Sequence, residues 1–318
     1  MAFKFIKLSL LLLLFGITTI RAQQTTIMIY EDVKVRYKLD DTPKTYKEIT
    51  DTLQQQPALL SNLSIEIEDD EEESDEEREY YKCNSSKIKG FNKIFGFLTR
   101  NGIRINNLQQ LSLKGVFDAH LVLNIGKLTA LTSLRFQEGS VINCQDYTPW
   151  ETLTNLTSLD LKGTYFSQSE EATEGKPLIL KSFFIILENL KNLKTLDLSN
   201  SQIFPKRIED NKNYMRWRKK EIKDCAKLLA DKFHGSKLYM SEASLGGLFL
   251  EAFIIPSSSK IRELDLSKNY ISIDAARDFI ISLKGKLLDV TFDDNEWTLD
   301  ELKEKLLNHY LEGTSLSG

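Results

Sequence analysis

Along residues 108 to 311, apolar side chains return in a short frame: apolar, two polar, apolar, one polar, apolar. The stretch LTNLTSLDLKGTYF from Leu153 to Phe166 shows it, with Leu156, Leu159 and Leu161 followed by small and polar residues. Such spacing is too tight for a lone amphipathic helix and too irregular for a simple strand. The frame LxxLxLxxNxL recurs as LQQLSLKGVFD from Leu108, LTSLRFQEGSV from Leu131, LTSLDLKGTYF from Leu156 and LKTLDLSNSQI from Leu193. It appears again as IRELDLSKNYI from Ile261 and LLDVTFDDNEW from Leu287, with a weaker copy, GSKLYMSEASL, carrying Leu238, Met240 and Leu245. Anchors Leu111, Leu134 and Leu159 lie 23 and 25 residues apart, and Leu238, Leu264 and Val290 lie 26 and 26 apart. Between Leu159 and Leu196, and between Leu196 and Leu238, the intervals widen to 37 and 42, which places insertions inside otherwise ordinary repeats. Each frame predicts one short strand whose alternate residues, such as Leu159 and Leu161, turn inward. A return segment must then bury its own apolar stripe behind that strand, which a single repeat cannot do and a stack can.

Several return segments read as helices. IDAARDFIISLKGK places Ala276, Phe279, Ile280 and Leu283 at helical spacing, and LILKSFFIILENLKN does the same with Leu180, Phe183, Phe184 and Leu187. At the C-terminal end Thr298 followed by Glu301 forms a capping box ahead of an apolar stripe of Leu299, Leu302, Leu306 and Tyr310 that stops near Gly313. Ile88, Phe91, Ile94, Phe95 and Leu98 suggest a helical cap over 83–107 at the other end of the stack. Over residues 108–313 the chain resembles the leucine-rich repeat family, of the ribonuclease-inhibitor-like type. The resemblance implies an α/β solenoid, a horseshoe with parallel strands on its concave face and mainly helices on its convex face. It also implies that the protein binds another protein on the concave face and is not an enzyme.

One position departs from the family pattern. Where the frame has Asn, this chain has Val116, Gly139, Thr164, Ser201, Ala243, Asn269 and Asn295 in turn. That amide normally bonds backbone groups in the turn after each strand, so the early repeats need another solution. Thr164 and Ser201 carry hydroxyls that could serve; Val116, Gly139 and Ala243 have no suitable side chain.

Ahead of the repeats the pattern changes. MAFKFIKLSLLLLLFGITTIRAQQ sets Lys4 and Lys7 before an apolar run, the layout of a secretory signal peptide over residues 1–22, with cleavage expected after Ala22. An uncleaved anchor is the alternative, although about 13 apolar residues make roughly 20 Å of helix against a ~30 Å hydrocarbon core. Export to the medium or periplasm follows, with no stable membrane insertion after cleavage. Residues 23–65 form a small segment of unassigned role, in which Val33, Val35, Tyr37 and Leu39 alternate like a strand and Tyr46, Ile49 and Leu53 suggest a helix. Residues 66–82 begin EIEDDEEESDEEREYY, a block of like charge expected to stay solvated as a disordered linker. Calcium binding there lacks the glycine-punctuated ligand spacing.

Composition narrows the function classes. Loss of residues 1–22 removes Lys4, Lys7 and Arg21 and no acids, moving the formal charge from −4 to −7 and disfavouring nucleic acid as partner. Cys83, Cys144 and Cys225 have unrelated spacings that read as neither a disulfide framework nor a zinc site; one bridge with a spare thiol and three unpaired thiols both remain open. His120, His234 and His309 accompany no nucleophile motif, Gly246-Gly247 lacks the lysine of a phosphate loop, and no metal or other cofactor is called for.

The candidate site is therefore a surface. Side chains between the inward leucines form a central column, and beside it run two flanks. From these the candidate partner-binding residues are Arg135, Asp160, Lys162, Asp197, Tyr239, Glu263, Asp265 and Asp289. Basic members sit mainly in the first half and acidic ones in the second, a polarity able to orient a protein partner. In the insertion, Arg216, Trp217 and Arg218 are a further candidate contact; the alternative is that Trp217 starts a helix running through Ile222, Leu229 and Phe233. A secreted protein that holds another protein is the expected function. A bacterial effector or surface adhesin acting on host cells is the alternative, and an enzyme the least supported.

Overall fold

The computed structural model describes residues 18–22, 25–29, 32–38, 62–68, 108–166, 179–201, 212–283, 286 and 288–315, with backbone path alone for 18–22, 25–29, 32–38, 62–68, 116, 179–180, 212–218 and 310–315. Residues 1–17, the helix suggested around Ile49, the acidic residues 69–82, Cys83 and the cap expected over 83–107 lie outside the described residues. The chain divides into two compact units, residues 1–160 and 161–318. Both contain parallel strands joined by return segments, the α/β organisation of a leucine-rich repeat solenoid.

In the first unit β1 (Thr18–Ala22), β2 (Thr25–Ile29) and β3 (Asp32–Lys38) pair antiparallel in sequence. Next, β4 (Asn62–Glu68) lies parallel to β3 and to β5 (Gln110–Lys114), so the first acidic residues of the charged block extend a strand. The repeat ladder continues through β7 (Ser133–Phe136) to β9 (Ser158–Asp160), aligning Leu63, Leu111, Leu134 and Leu159 in one row. Of these, Leu111, Leu134 and Leu159 are buried.

Return segments in this unit are not uniformly helical. Beside β5, β6 (Val116–Asp118) leads into α1 (Ala119–Gly126), whose N-cap Asp118 accepts a hydrogen bond from Leu121 N–H at 3.0 Å. In the next repeat β8 (Val141–Asn143) pairs with β6, and the chain returns through one 3-10 helix, Thr148–Thr152, with Pro149 in its first turn. The expected convex layer of helices is thus replaced there by strand and tight turn. Gly126 allows it: a Cβ at that position would stand 2.2 Å from Pro149 O. The Trp150 indole N–H donates to Val122 O at 3.0 Å, and its ring stacks on Phe136 at 5.9 Å, fastening the two return segments together.

After the two-residue β10 (Tyr165–Phe166), the second unit has strands β11 (Thr195–Asp197), β12 (Lys237–Tyr239), β13 (Glu263–Asp265) and β14 (Asp289–Thr291). Their returns are helical: α2 (Ile179–Ile186), α3 (Lys212–Lys232), α4 (Gly246–Ala252), α5 (Ile273–Ser282) and α6 (Leu299–Ser315). The predicted stripes are seated, with Phe183, Phe184 and Leu187 around α2 and Ala276, Phe279 and Leu283 around α5 all buried. α3 fills the longest interval and begins at Lys212, ahead of Trp217, so Trp217 lies within the helix rather than at its start. Thr298 and Glu301 form the capping box: Glu301 accepts from Thr298 N–H at 2.6 Å, and Thr298 Oγ1 accepts from Glu301 N–H at 3.3 Å. Of the stripe on α6, Leu302 is buried, but Leu299 is 64% exposed because no further described layer covers it.

The turn after each strand shows how the Asn position works. Asn269 Oδ1 accepts from Ala243 and Leu245 N–H at 3.0 and 3.3 Å, and its Nδ2 donates to Met240 O and Ser267 O at 2.7 and 3.0 Å. Asn295 repeats the pattern one turn later, on Asn269 and Ile271 N–H and on Leu266 O and Phe292 O. Ser201 substitutes in part, its hydroxyl donating to Leu161 O at 2.5 Å. Thr164 does not: its buried Oγ1 has no hydrogen-bond partner among the described residues. In the repeat where the frame falls on Gly139, Gly139 takes φ +84° and the next residue, buried Ser140, sends its hydroxyl to Leu113 O at 3.4 Å. At Thr164, Ser201, Ala243, Asn269 and Asn295 the residue just before adopts left-handed backbone, with φ of 64, 52, 57, 56 and 58° at Gly163, Asn200, Glu242, Lys268 and Asp294.

Candidate functional site

Strand residues alternate between the core and an outer face left free by the return segments. In the first unit that face aligns Gln110, Ser133 and Ser158 in one row and Ser112, Arg135 and Asp160 in the next. Arg135 Nε meets Asp160 Oδ2 at 3.1 Å across adjacent strands, and Gln137 Nε2 donates to Ser112 Oγ at 3.1 Å. With the Arg135 side chain 60% exposed, the ion pair orients the guanidinium more than it stabilises the fold.

In the second unit the register sets Thr195, Lys237, Glu263 and Asp289 in one row and Asp197, Tyr239, Asp265 and Thr291 in the next. Two of the candidate aspartates have backbone duties. Asp197 Oδ1 accepts from Ser199 N–H, and Asp265 Oδ1 from Ser267 N–H, each at 2.9 Å. The LDLS sequence therefore closes its own strand end with one carboxylate oxygen, leaving the other to the surface. Between these aspartates a compact group forms that the sequence did not single out as such. Lys237 Nζ lies 2.7 Å from Glu263 Oε2, and the Tyr239 hydroxyl donates to Glu263 Oε1 at 2.6 Å. The two donors hold the Glu263 carboxyl below its usual range, Glu263 holds the Lys237 ammonium above its own, and burial pushes the Tyr239 phenol up. The signal was present in the frame, since Lys237 and Glu263 occupy the same repeat position and face each other in any parallel ladder.

Of the remaining candidates, Lys162 and Asp289 are exposed. Arg216, Trp217 and Arg218 lie in the first half of α3, where the backbone path alone is described. On the helical side a cavity of about 450 Å³ opens between α3 and the end of α4, lined by Lys223, Lys227, Asp231, Ile254 and Pro256 among others.

Cys144 and Cys225 are free and buried, and burial raises both thiols, Cys225 to about 12. Among the described residues no group of three His, Cys, Asp or Glu side chains could hold a metal ion, and no helix is long and apolar enough to cross a membrane.

Comparison with protein-family models and with curated proteins gave no match. Among solved structures, an internalin from Listeria monocytogenes is 14% identical, with 86% of this chain and 90% of that chain covered and a TM-score of 0.19. A leucine-rich repeat protein of Leptospira interrogans is 15% identical, with 82% of each chain covered and the same TM-score of 0.19. The strand register and the asparagine turns of this chain mark the repeat fold by themselves.

Proposed function

We propose that the protein is an exported, non-catalytic interaction protein of ribonuclease-inhibitor-like type that holds another protein on the concave, outer face of its repeat sheet. The observation that supports this most is the register of the second unit. It sets Asp197, Tyr239, Asp265 and Thr291 side by side, with Lys237, Glu263 and Asp289 in the adjoining row, all on positions the core does not use. An aromatic residue fixed by its hydroxyl amid carboxylates offers a rigid anchor with charged surroundings, suited to a protein surface. The apolar leader argues for secretion or a periplasmic location, and the acidic balance argues against nucleic acid.

The test separates surface charge from structure. Asp160→Asn, Asp197→Asn and Asp265→Asn together remove three negative charges while the Asn oxygen still accepts the backbone amides at 197 and 265. The wild-type chain is expected to capture a partner from extract of its natural surroundings, and this triple variant, or Tyr239→Ala, to lose it. Capture unchanged in both variants, with native thermal unfolding, overturns the reading.

A further inference from the structure

Repeats of the second unit close their backbone hydrogen bonds by reaching one repeat ahead. The N–H groups of Leu198, Met240 and Leu266 donate to Tyr239 O, Asp265 O and Thr291 O at 2.7, 2.9 and 2.8 Å. Two residues on, Asn200, Glu242 and Lys268 donate to Ser241 O, Ser267 O and Asp293 O at 2.7, 2.9 and 2.8 Å. The next pair of amides uses an asparagine: Ala243 and Leu245 donate to Asn269 Oδ1, and Asn269 and Ile271 to Asn295 Oδ1. Carried forward once more, the same rule makes donors of the Phe292, Asp294, Asn295 and Trp297 amides. Their acceptors would be two carbonyls of a following strand and one side-chain amide oxygen. β14 ends the ladder, and among the described residues no strand follows it.

Side chains at this end show the same incompleteness. Leu196, Leu238 and Leu264 are fully buried, whereas Val290 in the equivalent place is half-buried. Ile273 at the start of α5 is half-buried, whereas its counterpart Leu299 on α6 is 64% exposed. Around these apolar residues stand exposed Asp289, Asp293, Asp294 and Glu296.

We propose that this end of the second unit binds an extended, basic segment of a partner protein as one more parallel strand, with the pattern apolar, x, apolar, x, x, Asn. Strand addition supplies carbonyls for the Phe292 and Asp294 amides, and the Asn oxygen takes those of Asn295 and Trp297. The two apolar residues cover Val290 and Leu299, and cations between and beside them meet Asp289 and Asp293. A second copy docking edge to edge would bring two sets of these acids together, which like-charge repulsion opposes. This surface differs from the sheet face proposed above and does not depend on it.

The probe is a fluorescein-labelled peptide with the sequence of segment 261–272 carrying Glu263→Lys and Asp265→Lys, so that it keeps the repeat frame and its Asn but is basic. Saturable binding to the full chain is expected by fluorescence anisotropy. Roughly tenfold or greater weakening is expected with Asn269→Ala in the peptide, and with Asp289→Lys plus Asp293→Lys in the protein. Asp197→Asn in the protein leaves it unchanged, which separates this edge from the sheet face. Hydrogen exchange should slow at Phe292, Asp294, Asn295 and Trp297 when peptide is added. Absence of saturable binding overturns the proposal, as does binding indifferent to both sets of changes. Slow exchange at these four amides in the free chain would also overturn it: retained on dilution it would assign the edge to another segment of the same chain, and lost on dilution to a second copy.

Discussion

The turn after β7 and the turns after β13 and β14 face the same physical requirement with different chemistry. Each buries backbone amides and carbonyls that no strand neighbour can satisfy. In the later repeats one primary amide does the work, with Asn269 making four bonds and Asn295 five, each to two repeats at once. In the earlier one Ser140 supplies a single hydroxyl at 3.4 Å, beside a glycine at φ +84°. Return segments differ in parallel. The amide-closed repeats keep a 26-residue period and helical returns, while the early repeats run to 23 and 25 and one returns through strand and 3-10 turn. A side chain that ties two repeats fixes their spacing; a hydroxyl that ties fewer groups leaves room for irregular returns fastened by Trp150 instead.

Asn269→Ala should have the largest effect. It leaves the buried Ala243 and Leu245 amides and the Met240 carbonyl without their partner, at a cost of about 3–5 kcal/mol in denaturant unfolding. Ser201→Ala removes one hydroxyl bond to Leu161 O and should cost about 1–1.5 kcal/mol by the same measurement. Thr164→Val acts in the opposite direction. The buried Thr164 hydroxyl has no partner, so an isosteric methyl should be neutral or stabilising by up to about 1 kcal/mol. A loss as large as that of Ser201→Ala would mean the hydroxyl does close its turn.

Smaller effects concern ionisation. The Cys225 thiol, pushed up to about 12 by burial, stays protonated at pH 8, so iodoacetamide should leave it unmodified until the chain is unfolded. Glu263 titrates below its usual 4.5 because Lys237 and Tyr239 donate to the ionised form. A group depressed on folding stabilises above its unfolded pKa, and that contribution fades as pH falls through the lower folded value. Lys237→Ala should therefore move the Glu263 carboxyl upward in an NMR titration, with little change in unfolding because both groups are exposed.

Much of the ladder was legible in the sequence because inward leucines are periodic. The frame names Leu111, Leu134, Leu159, Leu196, Leu238 and Leu264, and all six are buried in parallel strands. What it could not give was chemistry that depends on neighbours. Gly139 occupies the frame, yet Ser140 takes the role, because a left-handed residue shifts the turn by one position. Thr164 has the right group in the right frame, yet its hydroxyl meets no partner among the described residues. The central aspartates read as free surface charge, but a carboxylate two residues before a strand-end amide closes on it first, as at Asp197 and Asp265. Leu299 sits in an apolar stripe whose exposure depends on what lies beyond the last strand.

Each repeat strand of the second unit lies directly beside the next, with Thr195, Lys237 and Glu263 in one row. Paired cysteines test this most directly. Thr195→Cys with Lys237→Cys sets thiols on strands about 4.8 Å apart, within disulfide reach, while Thr195→Cys with Glu263→Cys sets them about 10 Å apart, beyond it. Oxidation should cross-link the first variant and leave the second reduced; a disulfide in the second, or none in the first, would contradict the register.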